Sequence, residues 1–355
     1  MKSICFFGIY DKGYSRSKIL KRAFEENEYE VIECHVDPKT HRGWRKYIAL
    51  KDEWEKIPNK DFDHLIVCFP GHSVVWLARL LYKKPIVFDA FVSLFDSNVW
   101  DRKKYSPWHP KALYDLLLDY VSCRIAGTVI LDTHEHIKYF HKEFKVPLSK
   151  CVRVLVGADE AIFYPRETKL ENSPFVVHFH GSFIPLQGIE YIIEAARILK
   201  EENIVFNIIG KGQEYTKIRD LSNMYKLENI TFIDPVPTTE LPSYIERAHV
   251  CLGIFGHNPK TARVIPNKVY EYAAMGKPII SSSSSAIREV FTPNKDIVLC
   301  EVADGTEIAK RIMYLRDNEE IRNSLAKESS YTFASKLKAK VLGRELIEHL
   351  PIKNS

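Results

Sequence analysis

With 355 residues, 45% of them hydrophobic and 27% charged, the chain is long for one core and too ordinary in composition for wholesale disorder, so two domains of roughly 150 residues each are expected. The net charge of +5 sits in the first half: residues 1–170 hold 28 Lys and Arg against 23 Asp and Glu, and the remainder holds 23 against 23. That excess is too sparse for a nucleic-acid stripe and better suits an anionic small molecule or lipid headgroups.

Ser3–Ile9 reads as a first strand, not a signal peptide, because its apolar run is short and passes into a polar turn, Tyr10–Tyr14, and a helix from about Ser15 to Glu26. Strands follow at Val31–Val36 and His64–Phe69, then a helix over Val74–Leu81 and a strand from Pro85 to Phe88 that ends at Asp89. Pro70, Gly71, His72 and the Lys83–Lys84 pair interrupt this most apolar region, so no membrane span is expected. A long helix over Lys111–Ala126, a buried strand at Thr128–Leu131 and a strand at Lys150–Leu155 close the first half. Tyr164–Pro174, bracketed by Pro165 and Pro174, reads as a linker. The second half restarts with the strand Phe175–His180, and Gly188 opens a helix in which Ile189, Ile192, Ile193, Ala196 and Leu199 fall at helical spacing. Strands at Val205–Ile209, Ile230–Ile233, Val250–Ile254 and Pro278–Ser281 alternate with helices at Thr239–Ala248 and Lys268–Met275. The last helices lie at about Thr306–Asp317 and Ala334–His349. This alternation predicts the α/β class, with parallel sheets and crossover helices. Seven cysteines without a CxxC pair speak against a disulfide framework or a zinc site and for reduced cytoplasmic thiols.

The most informative stretch is Arg263–Ile280, RVIPNKVYEYAAMGKPII. Asn267 is a competent N-cap, and a helix start favours an anion because its backbone N–H groups are unpaired and carry partial positive charge. Glu271, four residues on and on the same face, would meet a ribose one turn deeper, where a carboxylate accepts from two vicinal hydroxyls. The competing reading is an ordinary capped helix with an exposed glutamate.

The run PNKVYEYAAMGKPII resembles the donor-site helix of glycosyltransferase family 4, the group 1 glycosyltransferases. HFHGSFIPLQGIEYIIEAARIL is similar to that family's strand, glycine loop and helix opening the C-terminal domain. IIGKGQEYTKI and ITFIDPVPTTELPSYIERAHVCLGIF match the next two units in order, and CVRVLVGADEAIFYP is similar to its interdomain strand and turn. The likeness runs from about Ile125 to Arg316 and is loose before that. It implies the GT-B fold: two Rossmann-like domains whose parallel sheets face across a cleft, here 1–165 for the acceptor and 174–332 for the nucleotide-sugar donor, with a helix at about 333–350 packing back on the first. It also implies a glycosyltransferase that moves a sugar from a nucleotide-diphosphate donor to a glycan or lipid-linked acceptor. Family members usually retain anomeric configuration and need no metal ion or other cofactor.

Carried over by position, Glu271 holds the donor ribose, Asn267 and Lys268 meet the diphosphate, and Gly181 and Gly188 let the backbone approach it. Pro235–Val236 lies against the base, and Glu289 is a further donor-side position. The family's usual Arg after the first glycine and Lys before the second are Ser182 and Gln187 here. An acid expected eight residues before Glu271 is replaced by Arg263. Two readings of Arg263 stand: it neutralises the leaving diphosphate, with Lys211, Lys260 or Lys268 as helpers, or it is a surface arginine and the site has decayed. A non-catalytic sugar-nucleotide-binding or scaffold protein and a sugar-nucleotide epimerase are the alternative functions.

In the first half, His72 in FPGHS and Asp89 in VFDAF each follow a strand and either contact the transferred sugar and acceptor hydroxyl or cap the next helix. The loop after the first strand lacks GxGxxG, which speaks against a dinucleotide cofactor and makes Gly13, Tyr14 and Arg16 acceptor-binding candidates. GWRKY at Gly43–Tyr47 and WDRKKYSPWHP at Trp100–Pro110 mix Trp and Tyr with Lys and Arg. They read either as ordinary loops or as a peripheral membrane contact of a cytoplasmic protein at the inner face of the membrane. His134, His136 and His141 do not share one helix face, so no metal site is expected there.

Overall fold

A computed structural model describes residues 2–166 and 174–351; residues 167–173 of the expected linker lie outside the described residues. The chain divides into two compact units, one comprising Met1–Val99, Lys103–Val156 and Ala339–Ser355, the other Trp100–Arg102 and Gly157–Lys338.

The first unit alternates strand and helix: β1 (Lys2–Ile9), α1 (Ser15–Glu25), β2 (Tyr29–Val36), α2 (Arg45–Glu55), β3 (His64–Val67), α3 (Val75–Leu81), β4 (Val87–Phe91), α4 (Pro110–Ile125), β5 (Thr128–Leu131), α5 (His134–Phe144) and β6 (Cys151–Arg153). Its strands form one parallel sheet in the order β2-β1-β3-β4-β5-β6. The second unit follows with β7 (Phe175–His180), α6 (Ile189–Ile198), β8 (Ile204–Ile209), α7 (Tyr215–Met224), β9 (Ile230–Ile233), α8 (Leu241–Ile245), β10 (Val250–Leu252), α9 (Asn267–Ala274), β11 (Ile279–Ser282), β12 (Val298–Cys300), α10 (Gly305–Asp317) and α11 (Glu319–Lys336). Its parallel order is β12-β11-β10-β7-β8-β9. A last helix, α12 (Ala339–His349), belongs to the first unit.

Burial on both faces explains the near-continuous apolar strands, because helices cover each side of a parallel sheet. In the first unit Leu50 and Trp54 of α2, Val75 and Ala78 of α3, Cys123 of α4 and Phe140 of α5 share one core with Phe7, Val67 and Phe88. The opposite face packs Ile4, Phe6 and Ile66 against Leu20 and Phe24 of α1 and Leu346 of α12. A side chain at Gly343 would bring a Cβ within 2.2 Å of the Ala23 carbonyl, so glycine there lets α12 lie close on α1; Asn27 Nδ2 donates to the Lys340 carbonyl at 2.9 Å. In the second unit Ile189, Ile192, Ile193 and Ala196 of α6 pack on Val177, Phe206 and Leu252 with Ile308 and Ile312 of α10.

α7 and β12 are absent from the sequence reading, and two further stretches differ from it. GWRKY does not end in a loop: Trp44 is the N-cap residue of α2, whose only fully buried side chains are Leu50 and Trp54. With so few inward apolar residues among charged ones, the helical period is faint. The expected helix over Ala334–His349 is two helices, broken at Leu337–Lys338, because its two halves bury their apolar faces in different units.

Candidate donor site

At the C-terminal ends of β7, β8 and β9 a pocket of about 220 Å3 is lined by His180, Gly181, Ser182, Gly210, Lys211, Pro235 and Val236, among others. Such strand ends are where open parallel sheets bind ligands. The sheet register aligns Phe179 and His180 with Ile208 and Ile209, and these with Phe232 and Ile233, so the three turns emerge side by side. Ser182 is exposed, and Lys211 is exposed and paired with Asp234 at 2.8 Å.

Helix α9 begins beside Gly181. Pro266, with φ −71° and ψ 147°, occupies the cap position and Asn267 is the first helical residue, with no side-chain capping bond. The N-cap expected at Asn267 is thus displaced by one, since proline's extended geometry supplies the entry to the helix. Lys268 follows, 4% exposed. Its ammonium donates to Gln187 Oε1 and lies 3.8 Å from the centre of the Phe179 ring. A Cβ at Gly181, which has φ +154°, would stand 2.8 Å from Lys268 Nζ. Glycine at 181 therefore makes room for the lysine. Burial pushes the Lys268 amine well below its ordinary pKa, opposed by the charge of Glu271. The cation found at Gly181 is Lys268, which the sequence reading had named with Asn267 for the diphosphate, with Arg263 as a further candidate. Arg263 sits half-buried in the preceding turn, its amide donating to the Lys260 carbonyl, and Lys260 faces Asp101 at 3.3 Å.

One turn along α9, Glu271 is buried and its Oε2 lies 2.7 Å from His180 Nε2. His180 Nδ1 in turn lies 3.0 Å from His178 Nε2 and 3.2 Å from the Tyr272 hydroxyl. Burial first, then the neighbouring His180 ring and the charges of Lys268 and Lys277, drive the His178 pKa well below its ordinary value, so this ring is neutral. The tautomers follow from the partners. His180 Nε2–H donates to the carboxylate, and the single lone pair of Nδ1 is shared between two donors, the Tyr272 hydroxyl and His178 Nε2–H. His178 Nδ1, which has no partner among the described residues, is left as a bare lone pair. One carboxylate oxygen is thereby fixed, and Oε1 makes no hydrogen bond among the described residues. The sequence reading missed His178, His180 and Tyr272. Two histidines at i, i+2 on a buried strand, necessarily on one side of the sheet, were the available signal.

The remaining donor-side positions have other surroundings. Gly188 has φ +62° and a Cβ there would meet the Gly256 amide at 2.4 Å, so it serves the packing of this loop on residues 255–256. Glu289 ends a short turn, Ile287–Glu289, and does not line the pocket.

In the first unit three candidates, Arg16, Asp89 and His72, are buried and closed. Arg16, 1% exposed, donates from Nη2 to Asp89 Oδ1 at 2.9 Å and from Nε to both carboxylate oxygens at 3.2 Å. Its Nη1 donates to the carbonyls of Val154 at 2.7 Å and Leu155 at 3.1 Å. This corrects both expectations. Arg16 does not await an anion and Asp89 does not await a hydroxyl, because a buried charge must be paired and the two satisfy each other. His72 is buried against the Phe88 ring, with Nε2 3.2 Å from Asp119 Oδ1 but off the line of a hydrogen bond, so it too is an interior group. Asp119 instead accepts from Ser93 Oγ and the amides of Leu94 and Phe95. Gly13 is exposed and donates to Asp11. Tyr14 is 38% exposed, with its ring 5.8 Å from Phe69 and 6.5 Å from Phe91. Phe91 has φ +58° where β4 is bulged, an uncommon backbone for a bulky residue at a strand's ligand-facing end.

Residues 162–330 match the family model described as glycosyl transferases group 1. The putative colanic acid biosynthesis glycosyltransferase WcaL of Escherichia coli (strain K12) is 28% identical over 171 residues, covering 47% of this chain and 42% of that protein. The match thus spans less than half of that relative's length. Among solved structures, sucrose-phosphate synthase from Thermosynechococcus elongatus superposes with a TM-score of 0.76 at 14% identity over 98% of both chains. Anabaena HepE in complex with UDP-glucose does so with a TM-score of 0.73 at 12% identity, over 98% of this chain and 99% of that one. The fold is GT-B.

Proposed function

We propose, from the premise that residues 162–330 are a group 1 glycosyltransferase domain, that the chain transfers a glycosyl group from a nucleoside-diphosphate sugar to a hydroxyl of a glycan or lipid-linked acceptor. As the family resemblance implies, the transfer retains configuration and needs no metal ion. The observation that carries this reading is the meeting of Lys268, Gln187 and Gly181 at the start of α9, with Glu271 one turn on.

A diphosphate at that point receives the unpaired amides of the helix start and the Lys268 ammonium, which stabilise the charge that develops as the sugar departs. The free oxygen of Glu271 accepts from the ribose hydroxyls, and the base lies toward Pro235–Val236. Solved relatives of the same fold, such as HepE, are described in complex with UDP and UDP-glucose. On the first unit, the Tyr14, Phe69 and Phe91 rings offer an apolar platform of the kind on which a sugar ring rests.

A thermal-shift and calorimetric panel of nucleoside diphosphates and their sugars tests the reading. A ligand at about 100 times its Kd adds roughly 2.7 kcal/mol of stability. At least one member should raise the melting temperature, and Glu271→Ala should abolish that rise when each protein is compared with its own unliganded melting temperature, which the variant lowers because His180 loses its buried partner. A panel without any binder, or a Glu271→Ala variant that binds as well as wild type, overturns the assignment.

A second reading, a binding module without turnover, is favoured by the uncharged Ser182 and Gln187 and by the closure of Asp89 on Arg16. Slow release of nucleoside diphosphate from a bound donor supports the enzyme; tight donor binding without release supports the module.

A further inference from the structure

The first unit carries an apolar face that its own core does not use. Helix α4 has two apolar lines. Ala112, Leu116 and Cys123 face inward, while Leu113, Leu117, Tyr120 and Val121 recur at i, i+4, i+7 and i+8 on the outside, with Leu117 56% exposed. A helix apolar on both sides needs a second apolar surrounding. The neighbouring helices repeat the pattern: Trp76 and Leu80 of α3 point outward four residues apart, and so do Trp44 and Ile48 at the start of α2. All three helices cover the same side of the sheet, since Leu50, Val75, Ala78 and Cys123 meet in one core. The Tyr47 and Trp76 rings, 6.1 Å apart, join α2 to α3, and α3 packs on α4. Trp108, 86% exposed, stands just before α4.

Two basic stretches border this face. Residues 39–46 contain Lys39, Arg42, Arg45 and Lys46 without an acid, and residues 103–111 contain Lys103, Lys104 and Lys111 without an acid. The acids of α2, Asp52, Glu53 and Glu55, lie in its last turn, away from Trp44. Among the described residues Arg42, Arg45, Lys103, Lys104 and Lys111 form no ion pair.

We propose that the outer face of α2, α3 and α4 docks the protein on an anionic lipid bilayer, with Trp44, Trp76 and Trp108 at headgroup depth and the lysines and arginines on the lipid phosphates. Tryptophan and tyrosine beside cations suit the headgroup layer, where an aromatic body is half solvated. Charge selects this occupant over a second copy of the chain: a two-fold interface would bring like-charged fringes toward each other, whereas an anionic surface neutralises both. No described helix is long and apolar enough to cross a membrane, so the contact is one of lying on the surface.

Co-sedimentation of the full chain with vesicles of phosphatidylcholine, with and without phosphatidylglycerol, tests this. Binding is expected to the mixed vesicles, to fall with salt, and to shift tryptophan emission to the blue. Trp44→Ser with Trp108→Ser should weaken it, and Lys103→Glu with Lys104→Glu should lower it about tenfold or more, both at unchanged melting temperature because these side chains are exposed. Absence of binding to the mixed vesicles overturns the proposal. So does retention of full binding by both double variants, or a dimer in sedimentation equilibrium that Leu117→Lys dissociates. Nucleoside-diphosphate binding is measured separately on the same samples, so loss of docking with donor binding intact leaves the donor-site reading standing.

Discussion

Arg16 with Asp89 and Lys268 with Gln187 are both buried cations at helix starts, one in each unit, and they are solved differently. Arg16 meets a carboxylate through two nitrogens and gives a third to two carbonyls, so charge and hydrogen-bonding capacity are both matched. Lys268 meets a neutral amide oxygen and an aromatic face, and Glu271, the carboxylate one turn away, is held by His180. A closed pair holds a fold together; a buried cation whose direct contacts are an amide oxygen and a ring has its charge only partly answered by the more distant Glu271, and burial pushes its pKa down. A diphosphate would answer it.

The largest test of this contrast is Arg16→Met. It leaves Asp89 buried without its partner and should remove about 3–5 kcal/mol from the first unit. Urea unfolding followed by unit-1 tryptophans reads the loss, and Arg16→Met with Asp89→Leu should recover much of it.

Lys268→Met should do the opposite: nucleoside-diphosphate affinity falls about 100-fold, roughly 2.7 kcal/mol, while the unliganded protein is as stable as wild type or more so. The sign follows from linkage. The folded-state pKa of Lys268 lies below the unfolded value, so the cost of burying the charge is fully present below the folded pKa. It is relieved as pH rises from there toward the unfolded value, where the unfolded state binds more protons. Wild type should therefore gain stability relative to Lys268→Met as pH increases through that window, and a ligand diphosphate should be accompanied by proton uptake in calorimetry. A Lys268→Met variant less stable than wild type at neutral pH, with donor affinity unchanged, would contradict both halves of the comparison.

Smaller effects should come from the supports. His180→Phe frees Glu271 to turn away and should weaken donor binding about tenfold, roughly 1.4 kcal/mol. Its distinguishing mark is that the preference for a ribo- over a 2′-deoxyribonucleotide collapses, which a general loosening of the fold would not produce. Gln187→Leu removes the amide acceptor of the buried Lys268 ammonium and should weaken donor binding about fivefold, with a stability loss of roughly 1–3 kcal/mol because a buried donor is left unsatisfied.

Much of this was legible in the sequence because it is written in local periodicity. The strand runs, the helix at Ile189–Leu199 and the segment from Pro266 to Ile280 declare themselves, and Gly181, Lys268 and Glu271 are found at one place in the fold. What was not legible depends on contacts across long separations. Nothing near Arg16 announces that Asp89, on the third strand along the sheet from β2, will close on it, or that the carbonyls after β6 will complete the shell. Ser182 and Gln187 looked like two missing cations. That Gln187 would instead hold a lysine from α9 requires the glycine loop and the helix start to be packed together. His180 escaped notice for the same reason, since its partner lies 91 positions away.

The seating of α12 on α1 carries a consequence for biosynthesis. Leu346 and Leu350 fill the same core as Phe6, Leu20 and Phe24, so the sheet that leaves the ribosome first lacks one wall until the chain has been polymerised through the whole of the other unit. A nascent chain arrested before residue 339 should expose that apolar flank to chaperones, although every strand of its first sheet has already been made.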